Sequence, residues 1–272
     1  MASDRDLVDM LDAVWASTAA LGDELDETEW KQPSECPGWT VQDNLVHLTA
    51  LERFILGDPL PSEDVPDDLP HVKNDIGKAN ERWIESRRSW TGADALAEFR
   101  AATGARIEQL RGLDDAGFAA DSWTPMGPGT VADLLRFRIF DSWVHEQDMR
   151  RAVHREGNLA SASARQTQTM IVDAMPFVVG KKVAPPDGST VVFSVTEPLP
   201  REFAILMLDG RAGLFDEIPA DPTARLTMSW VTFERLACGR VQPALCIDAH
   251  EVRFDGDADL GRRVVAEMNY MF

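Results

Sequence analysis

Three side chains able to bind a metal or move a proton fall on one short stretch of this sequence. In RIFDSWVHEQDMRR, running from Arg138 to Arg151, the residues Asp141, His145 and Asp148 stand at i, i+4 and i+7. On a helix that spacing sets an imidazole between two carboxylates along a single stripe. The flanking Phe137, Phe140, Val144 and Met149 are apolar, so part of the stripe faces a core. A carboxylate and an imidazole turned inward raise the free energy unless something pairs with them. A metal ion is one such partner, and a hydrogen-bond network is the other. His47, on a second apolar-patterned segment, offers a third ligand. Together with Asp141 and His145 it would make a facial set with positions left open for substrate. The spacing fits a satisfied core histidine as well. Asp148 either accepts from the imidazole or pairs with Arg151, three residues on. Glu146 and Arg150 are expected on the solvated face.

Two further residues have chemistry worth weighing. Cys36 precedes Pro37-Gly38-Trp39 and the start of a helix, where a thiol pKa can fall. Glu35 opposes that effect, so a packed, inert thiol is the expectation. Arg240, after Gly239 at the end of a short helix, could pair with a substrate carboxylate or simply complement the helix C-terminus. The tryptophans at helical spacing read as core. The sequence holds no Walker loop, GxGxxG, GxSxG or HExxH motif.

The elements that must position these groups follow from periodicity. A first helix is expected over residues 4–27, capped by Ser3 or Asp4. A second starts at the N-cap Thr40 and stops at Gly57-Asp58-Pro59. The acidic, proline-rich residues 58–70 form a loop. Helical patterning returns from about Asn74 to Trp90 and from Asp94 to Leu113, as one kinked helix or two. Trp123–Thr130 is a turn-rich connector, and Gly129 or Thr130 caps the helix of the Asp141/His145 stripe. One more helix spans Ala162 to Val179. After Pro185-Pro186-Asp187-Gly188 the pattern changes to strands at 190–195, 203–208 and 224–229, a turn into Leu214-Phe215-Asp216, and a short strand at 252–254. Helices are expected at 232–238 and 257–268. Helices followed by strands with two helices imply two domains, all-α over 1–183 and α+β over 184–272.

Composition bounds the partners. The 272 residues carry a net charge of −19, which argues against nucleic-acid binding. No signal peptide or membrane span is expected, and Cys36, Cys238 and Cys246 are scattered, as in a reducing, cytoplasmic compartment.

With these residues in view, CPGWTVQDNLVHL, from Cys36 to Leu48, resembles the N-terminal motif of the mycothiol-dependent maleylpyruvate isomerase family, and DSWVHEQDMRRA resembles its second metal motif. The stretches LACGR and FDGDADLGRRVVAEMNYMF are similar to that family's sterol-carrier-protein-like C-terminal domain. The resemblance implies a DinB-like four-helix bundle followed by a small α+β domain. It implies a divalent metal, zinc in particular, held by His47, Asp141 and His145, with Asp148 one turn beyond and Arg240 helping catalysis. The isomerase has Glu where this chain has Asp141, which leaves the particular reaction open. Mycothiol is the implied cosubstrate and a small-molecule electrophile the implied substrate. The implied chemistry is cis–trans isomerisation or thiol transfer. A non-catalytic binding protein and a hydrolase using activated water are the alternatives. A monomer or small homo-oligomer, without nucleic acid or membrane, completes the expectation.

Overall fold

The computed structural model describes residues 3–66 and 68–271. The chain divides into two compact units, one ending at Gln166 and one starting at Thr167.

The first unit is helical. Its elements are α1 (Asp4–Asp23), α2 (Glu27–Trp30), α3 (Val41–Ile55), α4 (Asp75–Glu85), α5 (Gly92–Arg111), α6 (Asp115–Ala119), a hairpin of β1 (Asp121–Thr124) and β2 (Gly127–Thr130), α7 (Val131–Ala152) and the start of α8 (Ala162–Phe177). The long helices α1, α3, α5 and α7 form a four-helix bundle, in which α1 and α3 each pack on both α5 and α7. Their seam is apolar and fully buried at Leu7, Leu11, Leu45, Leu48, Leu110 and Ile139. Caps start the two helices of interest. Thr40 and Thr130 each accept from the backbone three residues on, and Asp43 and Asp133 reach back to the cap N–H. The 74–113 segment is two helices, separated where Thr91 caps α5. The expected first helix ends early because Asp26 opens a capping box for α2. The 123–130 connector is a two-stranded hairpin, with Trp123 opposite Pro128.

The second unit begins within α8, upstream of the expected 183/184 boundary. Gln168 Nε2 donates to the Leu199 carbonyl, and Arg201 donates to Thr169 Oγ1, so this part of α8 is tied to the second unit's own strands. Pro176 lacks an N–H to continue the helical ladder, and a π-helical segment follows at Val178–Val183. The strands are β3 (Thr190–Thr196), β4 (Arg201–Leu208), β5 (Arg211–Phe215), β6 (Ala224–Ser229) and β7 (Val252–Gly256), in the order β5-β4-β3-β6-β7. The β3–β6 pair is parallel and the others are antiparallel. Register sets Phe193 opposite Phe203, and their rings stack with centroids 4.8 Å apart. Three helices follow: α9 (Trp230–Ala237), α10 (Pro243–Asp248) and α11 (Ala258–Ala266). The sequence reading anticipated two. The third, α10, is short and opens on a proline at its first turn, a position where the missing N–H costs nothing.

Candidate metal centre

The site is built inside the first unit from α3, α7 and the turn before α3. His47 projects from α3, and Asp141 and His145 from α7. Their ligand atoms lie within 4.8 Å of one another. His47 Nε2 stands 3.5 Å from Asp141 Oδ2, and His145 Nε2 stands 3.6 Å from Asp141 Oδ1. These separations are long for direct hydrogen bonds. They are close to the spacing of about 3.3–3.4 Å between neighbouring ligands of a tetrahedral ion with bonds of about 2.0–2.1 Å.

The environment of His145 decides which of its nitrogens is available. Nδ1 lies 2.9 Å from Asn44 Oδ1 and 3.1 Å from Asp148 Oδ2. The Asn44 amide nitrogen donates to Ser34 Oγ and to the Thr40 carbonyl, so its oxygen is the atom facing the imidazole. Both neighbours of Nδ1 are therefore acceptors, and Nδ1 carries the proton. That leaves the Nε2 lone pair directed at the Asp141 carboxylate. Two electron-rich atoms facing each other without a proton between them suit a cation. A carboxylate behind a ligating histidine is a recurrent device for orienting such a ring.

Asp141 and His47 have matching electrostatics. Burial raises the Asp141 carboxyl, but His47 and the Arg138 guanidinium beside it outweigh that and hold it well below the usual carboxylate range. Burial pushes the His47 imidazole down, against the pull of Asp141. His47 Nδ1 is buried and has no hydrogen-bond partner among the described residues. The donor set and its spacing fit a divalent ion at the Nε2 side of the ring, and Nδ1 lies on the other side, away from Asp141.

Arg138 is 1% exposed and anchors the cluster. It contacts Asp141, donates to Glu52 Oε1 at 2.7 Å and donates to the Leu48 carbonyl at 3.1 Å. Glu52 in turn faces Arg106 Nε at 3.4 Å. Charges thus alternate through the bundle from α5 to α3 to α7. Trp39 lies over both imidazoles, with ring centroids 5.0 Å from His47 and 5.8 Å from His145. Its indole N–H donates to Glu81 Oε1 at 2.6 Å, which also accepts from His71 Nε2 at 2.9 Å. Gly38 has φ +81°, and a Cβ there would sit 2.7 Å from the His71 ring, so glycine is required to bring that turn down.

The structure brings His47, Asp141, His145 and Asp148 together. Asp148 is fully buried and does both things weighed for it, facing His145 and pairing with Arg151 Nη2 at 2.7 Å. Arg240 belongs to the second unit, where its Nη1 donates to the Cys238 carbonyl. Glu146 and Arg150 are a correction: Glu146 is 0% exposed and is held by Ser17, Arg150 and Asn158. Ser17 on α1 claims that side of α7, which periodicity within one helix does not reveal. Sequence reasoning missed Asn44 and Arg138, each three residues before a ligand on the same helix face. It missed Cys36 as a participant too. The thiol is packed, as expected, but it donates to Asp148 Oδ2 at 3.1 Å.

Fold and site together define a class: a DinB-like four-helix bundle holding a buried His–Asp–His set, followed by an α+β domain. The chain belongs to the mycothiol maleylpyruvate isomerase N-terminal domain family, whose model matches residues 11–150, just over half of the 272 residues. Among solved structures it is similar to the mycothiol-dependent maleylpyruvate isomerase, at 14% identity and TM-score 0.56 over 93% of both chains. A histidine-to-alanine mutant of that isomerase matches at 15% identity and TM-score 0.55, again over 93% of both chains. Sterol Carrier Protein 2 Like 2 from Aedes Aegypti covers 37% of this chain and 95% of its own at 12% identity, with a TM-score of 0.31 that adds nothing to the argument. No curated protein is significantly similar to the chain in sequence. No helix among the described residues is long and apolar enough to cross a membrane.

Proposed function

We propose that this protein is a metal-dependent enzyme that uses a small thiol, mycothiol, on a small electrophile, by cis–trans isomerisation or by thiol transfer. The observation that carries this reading is the convergence of His47, Asp141 and His145, with both imidazole Nε2 atoms 3.5 to 3.6 Å from the Asp141 carboxylate oxygens. These three residues would hold the ion, zinc by the chemistry of the set. When bound, a divalent cation lowers the pKa of a thiol brought to it, so that thiolate is available near neutral pH.

The protein's own residues do the rest. Arg138 keeps Asp141 ionised and fixed. Asp148 takes the His145 Nδ1 proton as a hydrogen bond and so presents the Nε2 lone pair. Trp39 covers both rings and limits water beside them. Isomerisation and transfer both begin with thiolate attack on an electrophilic carbon. In isomerisation the thiolate adds to one carbon of a cis double bond, the adduct rotates about that former double bond, and the same thiolate leaves as the double bond re-forms in the trans geometry. In transfer another group leaves and the thioether stays. The resemblance assigns Arg240 a catalytic part, which turnover by Arg240→Gln tests directly. The three cysteines form no disulfide among the described residues, as suits a compartment that keeps a thiol cosubstrate reduced.

The test is elemental analysis of the native protein, followed by thiol consumption on a panel of electrophiles with and without mycothiol. About one divalent ion per three-ligand site is expected, lost in both His47→Ala and His145→Ala. Native protein without metal would sink this reading. Turnover that needs no added thiol would replace it with a hydrolase.

A further inference from the structure

The proposed function gives no role to the Cys36 thiol, yet the thiol stands at the back of the candidate centre. Cys36 is 6% exposed. Its Sγ lies 3.1 Å from Asp148 Oδ2 and 3.8 Å from His145 Nδ1. It therefore sits on the Nδ1 side of the imidazole, away from the Nε2 that faces Asp141, and cannot reach an ion held by Nε2. Asp148 Oδ2 lies 3.1 Å from His145 Nδ1, which also has Asn44 Oδ1 at 2.9 Å, and Asp148 Oδ1 accepts from Arg151. The carboxylate has only lone pairs to offer, so the thiol is the donor.

The turn that carries Cys36 is fastened on both sides. The Cys36 N–H donates to Ser34 Oγ, and Asn44 Nδ2 donates to the same oxygen, tying the turn to α3. Glu35 forms an ion pair with Arg151 Nε at 2.7 Å, tying it to α7. Asp148 is 0% exposed, so no solvent stands ready to replace a lost donor.

We propose that Cys36 is a positioning residue: its thiol donates to Asp148 and, through that carboxylate, holds the His145 ring with Nε2 turned toward His47 and Asp141. The hydrogen-bond chain stands on geometry alone, and its consequence for metal binding rests on the function proposed above. A thiol in this place is neither the nucleophile nor a ligand.

The experiment compares wild type with Cys36→Ala, Cys36→Val and Cys36→Ser. Alanine and valine remove the donor, valine with more of the volume kept, and serine restores it. In metal-free protein Asn44 and Asp148 keep His145 in the Nδ1–H form throughout, but its ring nitrogen NMR shifts, which report the hydrogen bond to Asp148, should match between wild type and Cys36→Ser and move in the other two. In a chelator competition, Cys36→Ala and Cys36→Val should bind zinc about 3- to 10-fold more weakly, and Cys36→Ser within about 2-fold of wild type. That is less than the 10–100-fold typical of a direct outer partner, since Cys36 acts one contact further out. Ring nitrogen shifts of His145 unchanged on loss of the donor would overturn the proposal. So would a Cys36→Ser protein as impaired as Cys36→Ala, because the sulfur itself would then be needed. A second equivalent of metal, with a thiolate-to-cobalt absorption band in the cobalt-loaded protein, would make Cys36 a ligand and overturn it as well. If wild type takes up no divalent ion, the functional reading fails while the comparison of ring nitrogen shifts still decides this one.

Discussion

Arg138 touches two carboxylates and a carbonyl from a position with almost no access to water, so it cannot be removed quietly. Replacing it by methionine leaves Glu52 and Asp141 facing each other's field without the guanidinium. Loss of one partner of a buried pair costs about 3–5 kcal/mol, and Arg138→Met should lower the chemical-denaturation midpoint accordingly. Asp148→Asn acts differently. The amide keeps the shape but not the charge behind His145, so zinc affinity should fall about 10- to 100-fold, and the unfolding midpoint should fall too, but by less than in Arg138→Met, because Arg151 keeps its pair with Glu35. Isothermal titration of the two variants separates these outcomes. The three polar residues of the α7 stripe and His47 were legible from residue type and spacing. Asn44 and Arg138 were not singled out, because an asparagine or arginine among helical residues has many ordinary uses. Only the approach of α3 to α7 shows that Asn44 faces His145 and that Arg138, beside Asp141 on its own helix, is fixed by Glu52 and the Leu48 carbonyl.

At the scale of elements, the site depends on where α3 and α7 begin. Thr130 caps α7 in a reciprocal arrangement with Asp133. Thr130→Ala should cost about 1 kcal/mol, read from denaturant unfolding. The hydrogen bonds from Thr130 hold the Asp133 carboxyl below its ordinary range, against a small opposing effect of burial. A lowered folded value means that this contribution is present above the unfolded pKa of about 4 and is lost as pH falls through the folded value. The acid limb of the stability profile should therefore be shallower in Thr130→Ala than in wild type. Solvent screens so exposed a group, and the difference should be small. The capping signals were readable, since Thr40 and Thr130 with aspartates three residues on form a local pattern. The hairpin at β1–β2 and the short α6 and α10 were read as connector or missed, because four to six residues leave too little periodicity to register.

At the scale of the whole molecule, a ligand that binds only the folded state stabilises it. Zinc at 100 times its dissociation constant would add about 2.7 kcal/mol. Thermal unfolding should show a higher Tm with zinc than with a chelator, and the difference should vanish in His145→Ala. A Tm indifferent to zinc in wild type would contradict a native metal site. The net charge of −19 also matters here. It favours recruitment of a cation and opposes an anionic substrate except where arginines offset it.

The sequence by itself determined the order of helices and strands, the two-part organisation and the stripe of Asp141, His145 and Asp148, because these depend on periodicity, capping and spacing within one element. Tertiary structure alone decided what those side chains face. It buried Glu146, turned His145 Nε2 to Asp141 by placing acceptors at Nδ1, backed Asp141 with Arg138, and brought Cys36 from a turn far along the chain to Asp148. Most of these are contacts between elements, and the Arg138–Asp141 pair within α7 is itself fixed by Glu52 and the Leu48 carbonyl of α3. Their energy depends on distance and desolvation in the packed bundle, which no local pattern encodes.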